Sequence, residues 1–232
     1  MISEIVFDAN PVTLVGAGVV YPDDLDRAQT LAPQVIAADG GATQAIAAGL
    51  MPKAVIGDFD SLDVKTRAAL PPESMLHVSE QDSTDFEKAL MRIAAPLVIG
   101  VGFTGGRLDH TFAALHGMLR FQDKPVVLIA EHEVILLAPP RLELSLPANA
   151  VVSLFPLIPV QGRSTGLVWP IDGLKMVPGQ VIGTSNKAVG GPLKLEMDGP
   201  GMALFLPKSE LAQVTQALLL DAPEHVRWPA QG

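Results

Sequence analysis

Short apolar runs, each ending in a loop of Gly or Asp, set the rhythm of the first half of the chain. Thr13-Leu14-Val15 leads into Gly16-Ala17-Gly18, Gln34-Val35-Ile36-Ala37-Ala38 into Asp39-Gly40-Gly41, and Ala54-Val55-Ile56 into Gly57-Asp58-Phe59-Asp60-Ser61. Pro96-Leu97-Val98-Ile99 leads into the glycine loop 100–106, and Val126-Val127-Leu128-Ile129 repeats the pattern. Unbroken runs of this length fit strands buried on both faces. Helical segments alternate with them. Ala42 to Ala48 is closed by Gly49. Thr84 is an N-cap candidate, followed by Phe86, Ala89, Leu90 and Ile93 at helical spacing, and His110 to Phe121 is helical. Alternating β and α predicts a mostly parallel, Rossmann-like sheet covered on both faces.

The pattern changes after Glu131. Arg141-Leu142-Glu143-Leu144-Ser145-Leu146 and Leu193-Lys194-Leu195-Glu196-Met197 alternate with period two. Gly and Pro punctuate Pro139 to Pro207 without a helical stripe, which predicts an all-β sandwich or barrel. Ser209 to Leu220 reads as a closing helix. The expected organisation is an α/β domain over 1–130 and an all-β sandwich domain over 131–232.

Composition narrows the partners. The chain has 232 residues, 48% hydrophobic and 18% charged, enough to bury a core. Its net charge of −9 argues against nucleic acid and suits metal-bridged phosphates or a cationic small molecule. The absence of cysteine removes disulfides, thiolate metal sites and Cys nucleophiles. Met1-Ile2-Ser3-Glu4-Ile5 lacks a basic start and an export-signal core, and no apolar run reaches membrane-span length. The expectation is a soluble cytoplasmic protein.

In an open parallel sheet the loops after the strands' carboxyl ends share one edge, where ligands bind. Four loops are therefore expected to converge: Asp39-Gly40-Gly41, Asp58-Phe59-Asp60-Ser61, Gln81-Asp82-Ser83-Thr84-Asp85, and Gly105-Gly106-Arg107-Leu108-Asp109-His110. Asp39, Asp58, Asp60, Asp85 and Asp109 would then crowd one crevice, tolerable when a cation sits among them. The reaction class that most uses this arrangement is metal-assisted phosphoryl or pyrophosphoryl transfer. Glycines let backbone N–H groups approach phosphate oxygens, and Arg107 offers a bidentate clamp. Each loop also has a plainer reading. Asp58 and Asp60 suit a helix-capping turn, Asp39 a helix start, Asp85 its own helix dipole, and Arg107 with Asp109 a surface pair. His110 suits a supporting role. Coincidence of all four loops is the weaker explanation.

A second pattern competes. Gly100-Val101-Gly102-Phe103-Thr104-Gly105 matches the dinucleotide fingerprint, and Glu131 stands where a ribose-binding acid would. A nicotinamide-type enzyme is thus an alternative, though it leaves three acidic loops unexplained. No Gly-x-x-x-x-Gly-Lys-Ser/Thr motif is present, which excludes an ordinary P-loop kinase.

Together, Ala38-Asp39-Gly40-Gly41-Ala42, Pro52 with Ile56-Gly57-Asp58-Phe59-Asp60-Ser61, Gln81 to Leu90, Gly105 to His110, Gly166-Leu167-Val168-Trp169-Pro170 and Thr184-Ser185-Asn186 resemble the thiamine pyrophosphokinase (thiamine diphosphokinase) family. The resemblance implies a nucleotide-binding α/β domain followed by a thiamine-binding β-sandwich, in a homodimer whose active site lies between subunits. It implies Mg²⁺-dependent transfer of a pyrophosphoryl group from ATP to thiamine, releasing AMP. By this likeness Asp58, Asp60 and Asp85 hold Mg²⁺, and Arg107 and Asp109 serve the phosphates and the catalytic geometry. Asp39, Gly40, Gly41, Ser61, Thr84, Gly105, Gly106, Arg107 and His110 bind the nucleotide. Gln81, Asp85, Trp169, Ser185 and Asn186 bind thiamine. A tryptophan face also attracts a thiazolium cation, although Trp169 as sandwich core remains the plainer reading. Thr43, Ala114 and Lys187 depart from the family's usual Asn, Asn and Glu, which bears on substrate detail. The other readings are a pyrophosphokinase for another heterocyclic alcohol, such as a pterin, and a non-enzymatic nucleotide-binding regulator.

Overall fold

A computed structural model describes residues 6–220 and 223–231. The Met1–Ile5 stretch read for export signals lies outside them. The chain divides into two units: 1–117 with 128–131, and 118–127 with 132–232.

The first unit is built on parallel strands. Its elements in order are β1 (Val6–Phe7), β2 (Val12–Val15), α1 (Asp24–Leu31), β3 (Gln34–Ala38), α2 (Gly41–Ala47), β4 (Ala54–Gly57), α3 (Val64–Ala69), β5 (Met75–His77), α4 (Asp85–Arg92), β6 (Ile93–Ala94), β7 (Val98–Val101) and α5 (Leu108–Arg120), leading to β8 (Val126–Ile129). The strand order is β8-β7-β2-β3-β4-β5, and β2 pairs parallel with both β3 and β7. Every residue of β2, β4, β7 and β8 is buried, which is why these strands lack alternation in sequence. From β2 the chain steps outward through β3, β4 and β5, then returns to place β7 on the other side of β2. That reversal opens a crevice between the loops after β2 and β7.

Local chemistry fixes the helix that faces this edge. Thr84 and Glu87 form a reciprocal capping box at the start of α4, with Glu87 accepting from Thr84 N (2.9 Å) and Thr84 Oγ1 accepting from Glu87 N (3.3 Å). Phe86, Ala89 and Leu90 then bury one face. Two helices appear that the apolar pattern does not announce. α1 has no side-chain cap, and α3 buries only Thr66.

The second unit is antiparallel. It contains β9 (Glu133–Leu137), β10 (Arg141–Leu146), β11 (Val151–Pro156), β12 (Gly162–Thr165), β13 (Gly183–Lys187), β14 (Gly191–Met197), β15 (Met202–Pro207), α6 (Leu211–Leu220) and α7 (Pro223–Val226). One set of strands runs β13-β11-β15-β9 and a separate three-stranded sheet runs β10-β14-β12. The period-two segments bury Leu142, Leu144, Leu146, Leu193 and Leu195 and expose the charged positions between them. Among the described residues no helix is long and apolar enough to cross a membrane.

Candidate active site

A cavity of about 780 Å³ opens at the crevice of the first unit. It is lined by the loop after β2 (Gly16 to Val20), by Asp39 and Gly40 after β3, by Ser61, by Thr84 and Asp85 at the start of α4, and by Gly102 to His110 after β7. A Cβ added at Gly16 would lie 2.6 Å from the Gly102 carbonyl oxygen, and one at Gly102 2.6 Å from the Gly16 oxygen. Only glycine lets these two loops approach, leaving backbone rather than side chains at the cavity wall.

Asp39 is the hub beneath the double-Asp loop. It is 1% exposed, and its two carboxylate oxygens accept from Phe59 N (2.8 Å) and Ser61 N (3.3 Å). Phe59 takes a left-handed turn (φ 66°) and buries its ring against His77. The flanking Asp58 and Asp60 are thereby freed from the alternation a strand would impose. One carboxylate oxygen from each of Asp39, Asp58 and Asp60 lies within 4.8 Å of the others. This is slightly wider than the roughly 4.2 Å across a Mg²⁺ octahedron, so small side-chain movements fit the trio to such an ion. Asp39 thus joins the expected Asp58 and Asp60 in this group.

Asp85 reaches the group through a lysine. Lys88 Nζ donates to Asp58 Oδ2 (3.0 Å) and Asp85 Oδ1 (3.2 Å), and Gln81 Nε2 also donates to Asp58 Oδ2 (3.1 Å). The Lys88 contact above all, then the Asp60 backbone N–H, holds the Asp58 carboxyl down to about 2. A carboxyl lowered in the fold adds stability above its unfolded pKa near 3.8, lost as pH falls toward 2. Burial disfavours the Lys88 ammonium, but Asp58 and Asp85 outweigh it and raise its pKa. For Asp85, burial outweighs the help of Lys88 and its pKa is raised. The sign is then opposite to that of Asp58: the charged Asp85 is a net cost to the fold at neutral pH. Asp85→Asn, which keeps an acceptor for Lys88, is expected to have a Tm equal to or above wild type; a Tm several degrees lower would refute this balance.

Arg107 and Asp109 pair at the cavity rim, with Nε to Oδ1 at 3.1 Å and Nη2 to Oδ2 at 2.5 Å. Both are largely exposed. Arg107 holds the Asp109 carboxyl below its usual range. His110 lines the cavity and is exposed. Asp58, Asp60, Gln81 and Asp109 stand beside the cavity rather than in its lining. Gly41 is buried as the first residue of α2.

Two contributors were missing from the four-loop reading. The Gly16-Ala17-Gly18 loop carried the same strand-then-glycine signal as the others. Lys88 was visible only as a cation one position before the apolar Ala89-Leu90 pair. Gly100 lies inside β7, where a Cβ would meet Leu128 Cδ2 at 2.6 Å. It serves strand packing, which costs the dinucleotide fingerprint its first glycine. Thr43 bonds Asp63 and Thr66, tying α2 to α3, and Ala114 presents a methyl group to the cavity.

In the second unit Trp169, Ser185 and Asn186 come together. Asn186, 4% exposed, accepts from Trp169 N (3.2 Å) and donates to Trp169 O (2.7 Å). Its amide thus holds the tryptophan's backbone. Trp169 itself is 58% exposed, so it is not core. Ser185 sits at φ 61° and its N–H donates to Ser153 Oγ (2.9 Å). Lys187 is exposed next to them.

Residues 25–129, which carry these acidic and glycine loops, match the family model described as thiamin pyrophosphokinase, catalytic domain. The family model, the relatives and the solved structures that follow all support the thiamine pyrophosphokinase family for this chain. This is a family of kinase-type enzymes. Thiamin pyrophosphokinase 1 of Caenorhabditis elegans is 27% identical over 155 residues, covering 59% of this chain and 62% of that protein. Thiamine pyrophosphokinase 2 of Oryza sativa subsp. japonica is 30% identical over 155 residues, covering 59% and 58%. The match thus spans about three fifths of these relatives' length. The thiamin pyrophosphokinase structure from Geobacillus thermodenitrificans has a TM-score of 0.71 at 25% identity, covering 85% of this chain and 96% of that one. The one from Candida albicans has a TM-score of 0.72 at 15% identity, covering 88% and 93%, a likeness of fold.

Proposed function

We propose that this chain is a thiamine pyrophosphokinase that moves the pyrophosphoryl group of ATP to the hydroxyl of thiamine, giving thiamine diphosphate and AMP. The observation that carries the reading is the meeting of Asp39, Asp58 and Asp60 beside a glycine-lined cavity at the sheet's reversal point. In this reading residues 1–130 form a Rossmann-like nucleotide domain and residues 131–232 a β-sandwich that binds thiamine.

The residues divide the work by their chemistry. Exposed backbone at Ala17, Gly105 and Gly106, with the buried Gly40 in the same cavity lining, suits the phosphates of the nucleotide. His110 lines the cavity too, beside Ser61 and Thr84, whose hydroxyls donate to Asp60 and Glu87. Asp39, Asp58 and Asp60 would hold Mg²⁺, with Asp85 close by through Lys88; the bound ion would neutralise charge on the transferring phosphates. Arg107, oriented by Asp109, keeps N–H groups free for a phosphate oxygen. The thiamine hydroxyl oxygen attacks the β-phosphorus, the bond from that phosphorus to the α–β bridging oxygen breaks, and AMP leaves with that oxygen. The hydroxyl proton passes to a neighbouring carboxylate or to water. Nucleotide chromatography of the reaction tests this: AMP equimolar with thiamine diphosphate is expected, and stoichiometric ADP refutes pyrophosphoryl transfer.

Thiamine recognition falls to Gln81, Asp85, Trp169, Ser185 and Asn186. The exposed Trp169 ring, held by Asn186, suits stacking on a flat cation. Trp169→Ala is expected to raise the thiamine KM about tenfold, the scale of a 1–2 kcal/mol cation–π contact, with the ATP KM little changed. An unchanged thiamine KM in the folded variant would remove Trp169 from the site. The protein is expected to be a homodimer, and sedimentation at monomer mass would contradict that.

A further inference from the structure

We infer that Lys88 is a positioning residue whose ammonium locks Asp58 to Asp85 and lowers the acid group's affinity for a free divalent cation. The inference rests on the metal reading above. Lys88 sits on α4 between core residues, with its side chain 3% exposed and its Nζ at 3.0 Å from Asp58 and 3.2 Å from Asp85. Packing does not explain a lysine there. Burying an ammonium costs several kcal/mol, and an apolar side chain would avoid that cost. What the ammonium supplies is a fixed link between two carboxylates on different elements, the loop after β4 and the first turn of α4. Without it, Asp58 and Asp85 repel each other and turn apart. With it, they hold one arrangement before any ligand binds.

The same charge opposes a second cation. At an effective dielectric near 20, unit charges about 4 Å apart interact by roughly 4 kcal/mol, so an ammonium on Asp58 weakens the site's pull on a divalent ion. Lys88 therefore trades cation affinity for geometry. Removing it should move metal binding and turnover in opposite directions, which loss of packing alone would not do.

The test is calorimetric titration of the whole protein with Mn²⁺ alone, alongside steady-state rates. Lys88→Met is expected to bind Mn²⁺ at least about tenfold more tightly than wild type and to lose at least about tenfold in kcat. Lys88→Arg, which keeps the charge, should bind Mn²⁺ like wild type and recover part of kcat. Should Lys88→Met not fold, Lys88→Gln keeps two donors without charge and carries the same expectation. Wild-type protein that binds Mn²⁺ while the uncharged variant binds it equally or more weakly overturns the Lys88 assignment alone. Failure of both wild type and the uncharged variant to bind Mn²⁺ overturns the metal reading beneath it.

Discussion

Asp58→Asn and Asp60→Asn are each expected to lower kcat by at least about a thousandfold in protein that still folds, the scale of lost metal-ion stabilisation of a transition state. Each substitution leaves the shape of the loop and removes a charge from the trio. Their effects on stability should part. Asp60 is exposed and accepts from the Ser61 hydroxyl at 2.9 Å, so Asp60→Asn should fall within about 0.5 kcal/mol of wild type. Asp58 accepts from the buried Lys88, and Asp58→Asn keeps that acceptor but not its charge, so a loss of about 1 kcal/mol is expected. Thermal melts and kcat measured on the same preparations check both halves. Wild-type turnover in either variant would remove the metal assignment.

Gly41→Ala is expected to cost about 3 kcal/mol or more, although it adds only one methyl group. A Cβ at this position would lie 2.0 Å from the Val15 carbonyl oxygen and 2.6 Å from the Val15 carbonyl carbon. Those atoms are backbone at the end of β2 and cannot rotate away. α2 would have to lift from β2, and the Asp39–Gly40 turn before it would move as well. For a chain of this length the loss corresponds to a Tm about 6–12 °C lower. Gly199→Ala is the control. No atom lies within 4 Å of the added Cβ there, and a change within about 0.5 kcal/mol is expected. Equal melting temperatures for the two variants would contradict the close packing of α2 on β2.

The elements readable in sequence are those whose burial is complete or strictly alternating. β3 spans Gln34–Ala38 and β8 spans Val126–Ile129, as their apolar runs predict, and β10 spans the alternating Arg141–Leu146. α4 begins at Asp85 after a Thr84 cap because a capping box is written in adjacent residues. α3 was not readable: Val64 is 85% exposed and only Thr66 is buried, so no apolar stripe exists to see. β13 hides for a related reason, since Asn186 is its one buried residue. At the site, residue types and their convergence were legible in the loops after β3, β4 and β7. What each side chain does was less so. Asp39 reads as a nucleotide contact, and it lines the cavity, but nothing in sequence marks that its oxygens also accept from backbone N–H groups about twenty residues away. Nor does sequence mark that the Asn186 amide holds the Trp169 backbone. Such bonds join residues distant in sequence, and a single chain carries no local mark of them.

The most direct measurement follows the phosphorus. Purified protein with Mg²⁺, thiamine and ATP labelled at the β-phosphate should deliver the label to thiamine diphosphate, with one unlabelled AMP formed per labelled product. Label recovered in ADP, or left on ATP while thiamine stays unmodified, would contradict the account.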